Sequence, residues 1–69
     1  MPAKKTLTQR EKELQSLLAT PVGRQELQEL ESRYFAASGR PRAAKASLIT
    51  YLLVYETAQG LIGKDPART

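Results

Sequence analysis

The chain has 69 residues, 41% of them hydrophobic and 26% charged, and a formal net charge of +4. It contains no cysteine and no histidine, which excludes disulfides, zinc sites built on those ligands, and the usual nucleophile–base pairs of enzymes. At this length it is one domain at most and buries only ~60% of the surface its unfolded chain exposes, so oligomerisation is the stabilising device left open to it.

Residues 1–6 show no apolar periodicity and hold Pro2, Lys4 and Lys5, which reads as a tail. A polar stretch follows the two lysines, so no secretory signal is expected. The folded unit is placed at 7–63. Thr8 followed by Glu11 reads as a capping box for the first helix, with Leu7 just outside it. Leu14, Leu17 and Leu18 then form one apolar stripe at helical spacing. Pro21 ends this helix, because the residue before a proline is pushed out of the α region.

The second helix starts at the same place, with Thr20 as N-cap and Pro21 at the first helical position. Leu27, Leu30, Tyr34 and Ala37 lie along one face, and Gly39 after Ser38 is the natural stop. Phe35 falls off that face and is a candidate for contact with another chain. Next comes Gly39-Arg40-Pro41-Arg42, in which Pro41 holds Arg40 extended. The alanines that follow favour a third helix starting near Ala43 or Ala44, although Ser47 is a competing N-cap.

Leu48–Tyr55 is the greasiest segment, Leu-Ile-Thr-Tyr-Leu-Leu-Val-Tyr. It does not alternate, has no second strand to pair with, and runs on to Gly60, which makes it a helix. Leu61 after Gly60 fits the apolar contact of a Schellman stop. The run is too short to span a bilayer, so a soluble chain is expected, and absent cysteine points to the cytoplasm. Gly63, Asp65 and Pro66 release a second tail at 64–69. The predicted fold is all-α, a three-helix domain with the apolar last helix at its centre.

Leu7-Thr8-Gln9-Arg10-Glu11, continued by Leu14, Leu17 and Leu18, resembles the opening of the DNA-binding domain of LuxR-type regulators. The likeness covers the first helix; a polar recognition helix does not follow. More broadly, Leu7–Glu11, Ala19–Arg24 and Leu48–Ile62 resemble a group of small uncharacterised bacterial proteins. That resemblance implies a bacterial origin and one compact unit, and no activity. Ser38-Gly39-Arg40-Pro41-Arg42 resembles half of an AT-hook, with Ser38 where that motif has an arginine.

These residues carry two readings of function. On a wheel of roughly 100° per residue, Leu48, Tyr51, Leu52, Tyr55 and Ala58 share a broad face of the last helix, Ile49 and Leu53 make a second stripe, and Val54 lies on another side. A helix apolar nearly all round must be covered by something, so self-association through Phe35, Ile49 and Leu53 as a homodimer is expected. The rival reading is a nucleic-acid-associated accessory protein, with Arg40, Arg42 and Lys45 in the loop and Lys4 and Lys5 in the tail reaching phosphates or a narrow minor groove. A groove-inserted helix is not expected, since the last helix is apolar and the second carries Glu26, Glu29 and Glu31. Glu56, the acid beside the apolar run, is expected at an exposed or salt-bridged rim. No enzyme activity, cofactor, metal, small-molecule ligand or membrane contact is inferred.

Overall fold

A computed structural model describes residues 4–63 of the chain. It contains three helices, α1 (Leu7–Leu17), α2 (Pro21–Ser38) and α3 (Leu48–Ala58), so the domain is all-α as predicted. Each helix packs against the other two. The outer parts of the expected tails, residues 1–3 and 64–69, lie outside the described residues.

The N-terminus of α1 is set two residues earlier than expected. Thr6, not Thr8, is the N-cap: its hydroxyl accepts the Gln9 N–H at 3.2 Å, and the Gln9 side chain accepts the Thr6 N–H at 3.0 Å. Leu7 is thereby the first helical residue. Its N–H donates to the Gly63 carbonyl at 2.9 Å, and the Gly63 N–H donates to Lys5 at 2.9 Å. This single parallel bridge, Thr6 to Gly63, makes Lys5 and Thr6 part of the folded unit and not of a tail.

The corner between α1 and α2 is tight. A Cβ placed on Gly23 would lie 2.1 Å from the Leu17 carbonyl oxygen, so α2 can begin against the last turn of α1 only because that position has no side chain. Thr20 caps α2 by accepting the Gly23 N–H at 2.9 Å, Pro21 follows at the first turn, and Gly39 closes the helix at φ +71°.

The third helix waits for Ser47. The Ser47 hydroxyl accepts the Thr50 N–H at 3.0 Å. The alanines before it form a turn closed by Ala46 N–H to Ala43 at 3.0 Å. Arg42 holds that turn, bonding Glu31 at 3.0 Å and the Ala46 carbonyl at 3.4 Å. A good N-cap is worth ~1 kcal/mol, more than the propensity gained by extending helix through a few alanines. At the far end Gly60 has φ +74°. Leu61 N–H reaches the Glu56 carbonyl at 2.9 Å and Gly60 N–H reaches Thr57 at 3.1 Å, the paired bonds of a Schellman motif. Leu61 itself is 55% exposed, and Ile62 instead turns into the core.

The core joins Leu14 of α1, Leu27 and Tyr34 of α2, Ile49, Leu52 and Leu53 of α3, and Ile62. Each fully buried aliphatic contributes about 1.5–3 kcal/mol. Ile49 and Leu53 therefore pack inside the domain, although Leu53 also borders a surface groove. Packing against both other helices covers that stripe, which the wheel had left for a second chain.

Candidate functional site

The least expected feature of the interior is polar. Glu56 is 2% exposed, so it is neither an exposed nor a rim residue. Arg10 grips its carboxylate with two bonds, Nε to Oε1 at 2.7 Å and Nη2 to Oε2 at 2.9 Å. Tyr34 donates its hydroxyl to Oε2 at 2.7 Å. The three side chains come one from each helix. Arg10 also bonds Glu13 at 2.9 Å, and Lys5 pairs with the same Glu13.

This arrangement fixes protonation states. The hydrogen bonds to Glu56 hold the Arg10 guanidinium protonated well beyond its ordinary range, against the opposing effect of burial. Burial, reinforced by the bond to Glu56, pushes Tyr34 up to about 12. Lys5, and then Arg10, hold the Glu13 carboxyl below the usual carboxylate range. No buried side-chain polar atom among the described residues lacks a partner. The triad thereby ties the three helices together through one carboxylate.

The surface carries the opposite feature. An apolar groove of about 430 Å³ lies beside α3, lined by Leu7, Thr50, Leu53, Val54, Thr57 and Ala58. Val54 is 63% exposed and Leu7 39%. On the far side of Val54 and Ala58 is a second hollow of about 330 Å³, reaching Arg40, Tyr51, Tyr55 and Gln59. Tyr55 is held there by stacking on Tyr34, with ring centroids 4.0 Å apart and an angle of 16°.

The residues singled out from the sequence are dispersed. Phe35 is half exposed, but it borders a separate hollow with Glu31, Ser32, Pro41 and Arg42. Arg42 is committed to Glu31 and Lys5 to Glu13. Arg40 is exposed; its N–H donates to Ser38 Oγ at 3.1 Å and its carbonyl accepts the Tyr51 hydroxyl at 2.6 Å. Lys45 is exposed in the turn before α3. Lys4 is exposed near the other end of that helix, its Nζ 3.6 Å from where a Cβ on Gly60 would stand. Lys4 and Lys45 thus lie toward opposite ends of α3, and Lys5 and Arg42 are each paired with a glutamate. Among the described residues no group of three acidic, histidine or cysteine side chains can hold a metal ion, and no helix is long and apolar enough to cross a membrane.

Comparison with family models, with curated proteins and with solved structures finds no match to this chain.

Proposed function

We propose that this chain is a small non-enzymatic interaction module that self-associates, two copies meeting through the exposed face of α3. The observation that carries the reading is Val54, 63% exposed in the middle of an apolar groove beside Leu7. Exposed apolar surface of this kind, in a chain near the lower size limit for folding alone, calls for a cover. A second copy fits the chemistry. The groove has no charged side chain in its lining, and the one ionisable acid or base of α3 outside its tyrosines, Glu56, is buried. A two-fold axis beside α3 therefore sets no like charges against each other in the groove. Thr50, Val54, Thr57 and Ala58 are small enough to let another helix approach closely. Sedimentation equilibrium from low to high micromolar concentration tests this. The expected result is a mass rising to twice that of the chain; a monomer throughout removes the proposal.

A nucleic-acid-associated role is the second reading. It draws on the net charge of +4 and on Arg40, Lys45 and Lys4, which have no acid partner among the described residues. Three phosphate contacts predict a log–log salt slope of about −2.7 on duplex DNA. No binding at low salt would remove it.

A further inference from the structure

We infer that the start of α1 is a two-position switch, set by the strap at residues 61–63, that builds or removes the Leu7 wall of the groove beside α3. The inference rests on the self-association proposed above and adds what controls it. Leu7 serves two purposes at once. Its side chain lines the groove, and its backbone N–H donates to the Gly63 carbonyl at 2.9 Å. A wall of the proposed interface is thus held in place from a segment far along the chain.

The sequence provides two starts for one helix. Thr6 with Gln9 and Thr8 with Glu11 both have the spacing of a capping box. The structure uses the first: the Thr6 hydroxyl accepts the Gln9 N–H at 3.2 Å, and the Gln9 side chain accepts the Thr6 N–H at 3.0 Å. By local chemistry the first is not the better one. It leaves no acid in the first turn of α1, whereas a start at Gln9 brings in Glu11, whose carboxylate suits the positive end of the helix dipole. The strap tips the balance. The Leu7 N–H is one of the donors that a first helical turn leaves unpaired, and Gly63 accepts it. The Gly63 N–H returns a bond to the Lys5 carbonyl at 2.9 Å. The Lys5 side chain also pairs with Glu13, but an exposed ion pair adds little, so the two backbone bonds decide.

The strap is lightly attached. Gly60, at φ +74°, turns the chain out of α3. Leu61 is mostly exposed and Ile62 is the side chain that anchors the segment in the core. The bridge from Thr6 to Gly63 is isolated, outside any strand, and peripheral contacts of this kind open at lower cost than the whole fold. The rest of α1 does not depend on which start is used. Arg10 still reaches Glu56, and Leu14 still packs in the core. Two discrete arrangements of a short segment on an unchanged remainder make a switch. Coupling is reciprocal: a second copy seated against Leu7 favours the early start, and drawing the strap away opposes the second copy.

The test is NMR of the isotope-labelled full chain, with sedimentation equilibrium on the same samples. In the parent, exchange protection of the Leu7 and Gly63 amides should rise with protein concentration. Gly63→Pro removes the N–H that bonds Lys5. Leu7 and Thr8 should then lose their helical carbon shifts while residues 9–17 keep theirs. If the early start falls to about a tenth of the molecules, each copy carries that factor, and dimerisation weakens by about a hundredfold. Thr6→Ala, which removes the first cap and spares the strap, should move both readouts in the same direction and carries the test if Gly63→Pro does not fold. Adding Glu11→Ala, which weakens the second cap, should reverse part of that change. Helical shifts retained at Leu7 and Thr8 in both variants would overturn the switch. So would a loss spreading through residues 9–12, which is fraying and not a second start. A variant with Leu7 displaced that dimerises like the parent removes the control and leaves self-association standing. A parent that is monomeric at every concentration removes self-association instead, and the carbon shifts of the variants then decide the two starts by themselves.

Discussion

Two positions on α3 two residues apart show opposite arrangements. Glu56 is charged and 2% exposed, while Val54 is apolar and 63% exposed. The buried charge is fully answered from within the chain, by Arg10 and Tyr34. Among the described residues nothing covers the exposed valine. The polar group sits where the three helices must agree on their register, and the apolar one sits where the domain ends. Burying the first is a matter of folding, whereas covering the second is what the proposed self-association would do. The two sites should therefore respond differently to mutation: one through stability, the other through association.

The largest effect is expected at Glu56. Glu56→Ala leaves the part-buried Arg10 with Glu13 alone and Tyr34 without its acceptor, a loss of up to about 3–5 kcal/mol for breaking a buried pair. In a domain this small that leaves much of the population unfolded, which urea denaturation followed by circular dichroism will read. The comparison sharpens if all three partners are exchanged at once. Arg10→Met with Tyr34→Phe and Glu56→Leu removes the charges together, and such replacements are often neutral or stabilising. A triple variant as weak as the single one would show that the triad contributes more than mutual neutralisation.

Tyr34→Phe comes next. The ring and its stack on Tyr55 remain, and one bond to a charged acceptor is lost, about 1.5–3 kcal/mol. The same tyrosine sets an alkaline limit. Its folded pKa of about 12 lies above the ordinary value of 10.0, so the neutral phenol is the form that the fold favours. Its stabilising contribution is complete below pH 10 and is lost as the pH rises through about 12. In an absorbance titration Tyr34 should ionise above the ordinary tyrosine range, and its ionisation should coincide with unfolding. Early, independent ionisation would contradict the sealed triad. Thr6→Ala, at the edge of the fold, should cost ~1 kcal/mol through loss of the cap.

How much of this was readable beforehand differs from residue to residue. The three helices followed from apolar periodicity, and Thr20-Pro21, Gly39 and Gly60 punctuated them by backbone chemistry that is local to the sequence. The start of α1 was ambiguous for a physical reason. Thr6 with Gln9 and Thr8 with Glu11 are overlapping capping boxes, and what selects the first is a bond to Gly63, distant in the chain. The triad had a signal that was missed. Ile49, Leu52, Leu53 and Glu56 fall at i, i+3, i+4 and i+7, so Glu56 occupies a core position. Arg10 shares a stripe with Leu14 and Leu17, and Tyr34 with Leu27 and Leu30. A charge or hydroxyl on each of three apolar stripes implies mutual satisfaction. Counting charged residues as surface hid that stripe and left Ile49 and Leu53 looking unpartnered. Which basic residues stay free was not legible, because Arg42 reaches Glu31 across a turn whose geometry depends on tertiary packing.

The smallest effect on folding is expected at Val54, and it tests the comparison most directly. Val54→Glu places a charge on a side chain that is already mostly in water, and surface changes of this kind usually shift stability by less than about 0.5 kcal/mol. In a two-fold seam, however, the new carboxylate lies in the groove against the partner's matching surface, where it would be desolvated beside its own copy. The variant should remain folded and monomeric where the parent is dimeric. Mass action gives a second signature. The parent's midpoint of thermal unfolding should rise with protein concentration, because association stabilises the folded chain, and that of the variant should not. If Val54→Glu unfolds the domain, the groove belongs to the core after all. If it leaves both the mass and the concentration dependence of the parent unchanged, the face of α3 is not where two copies meet.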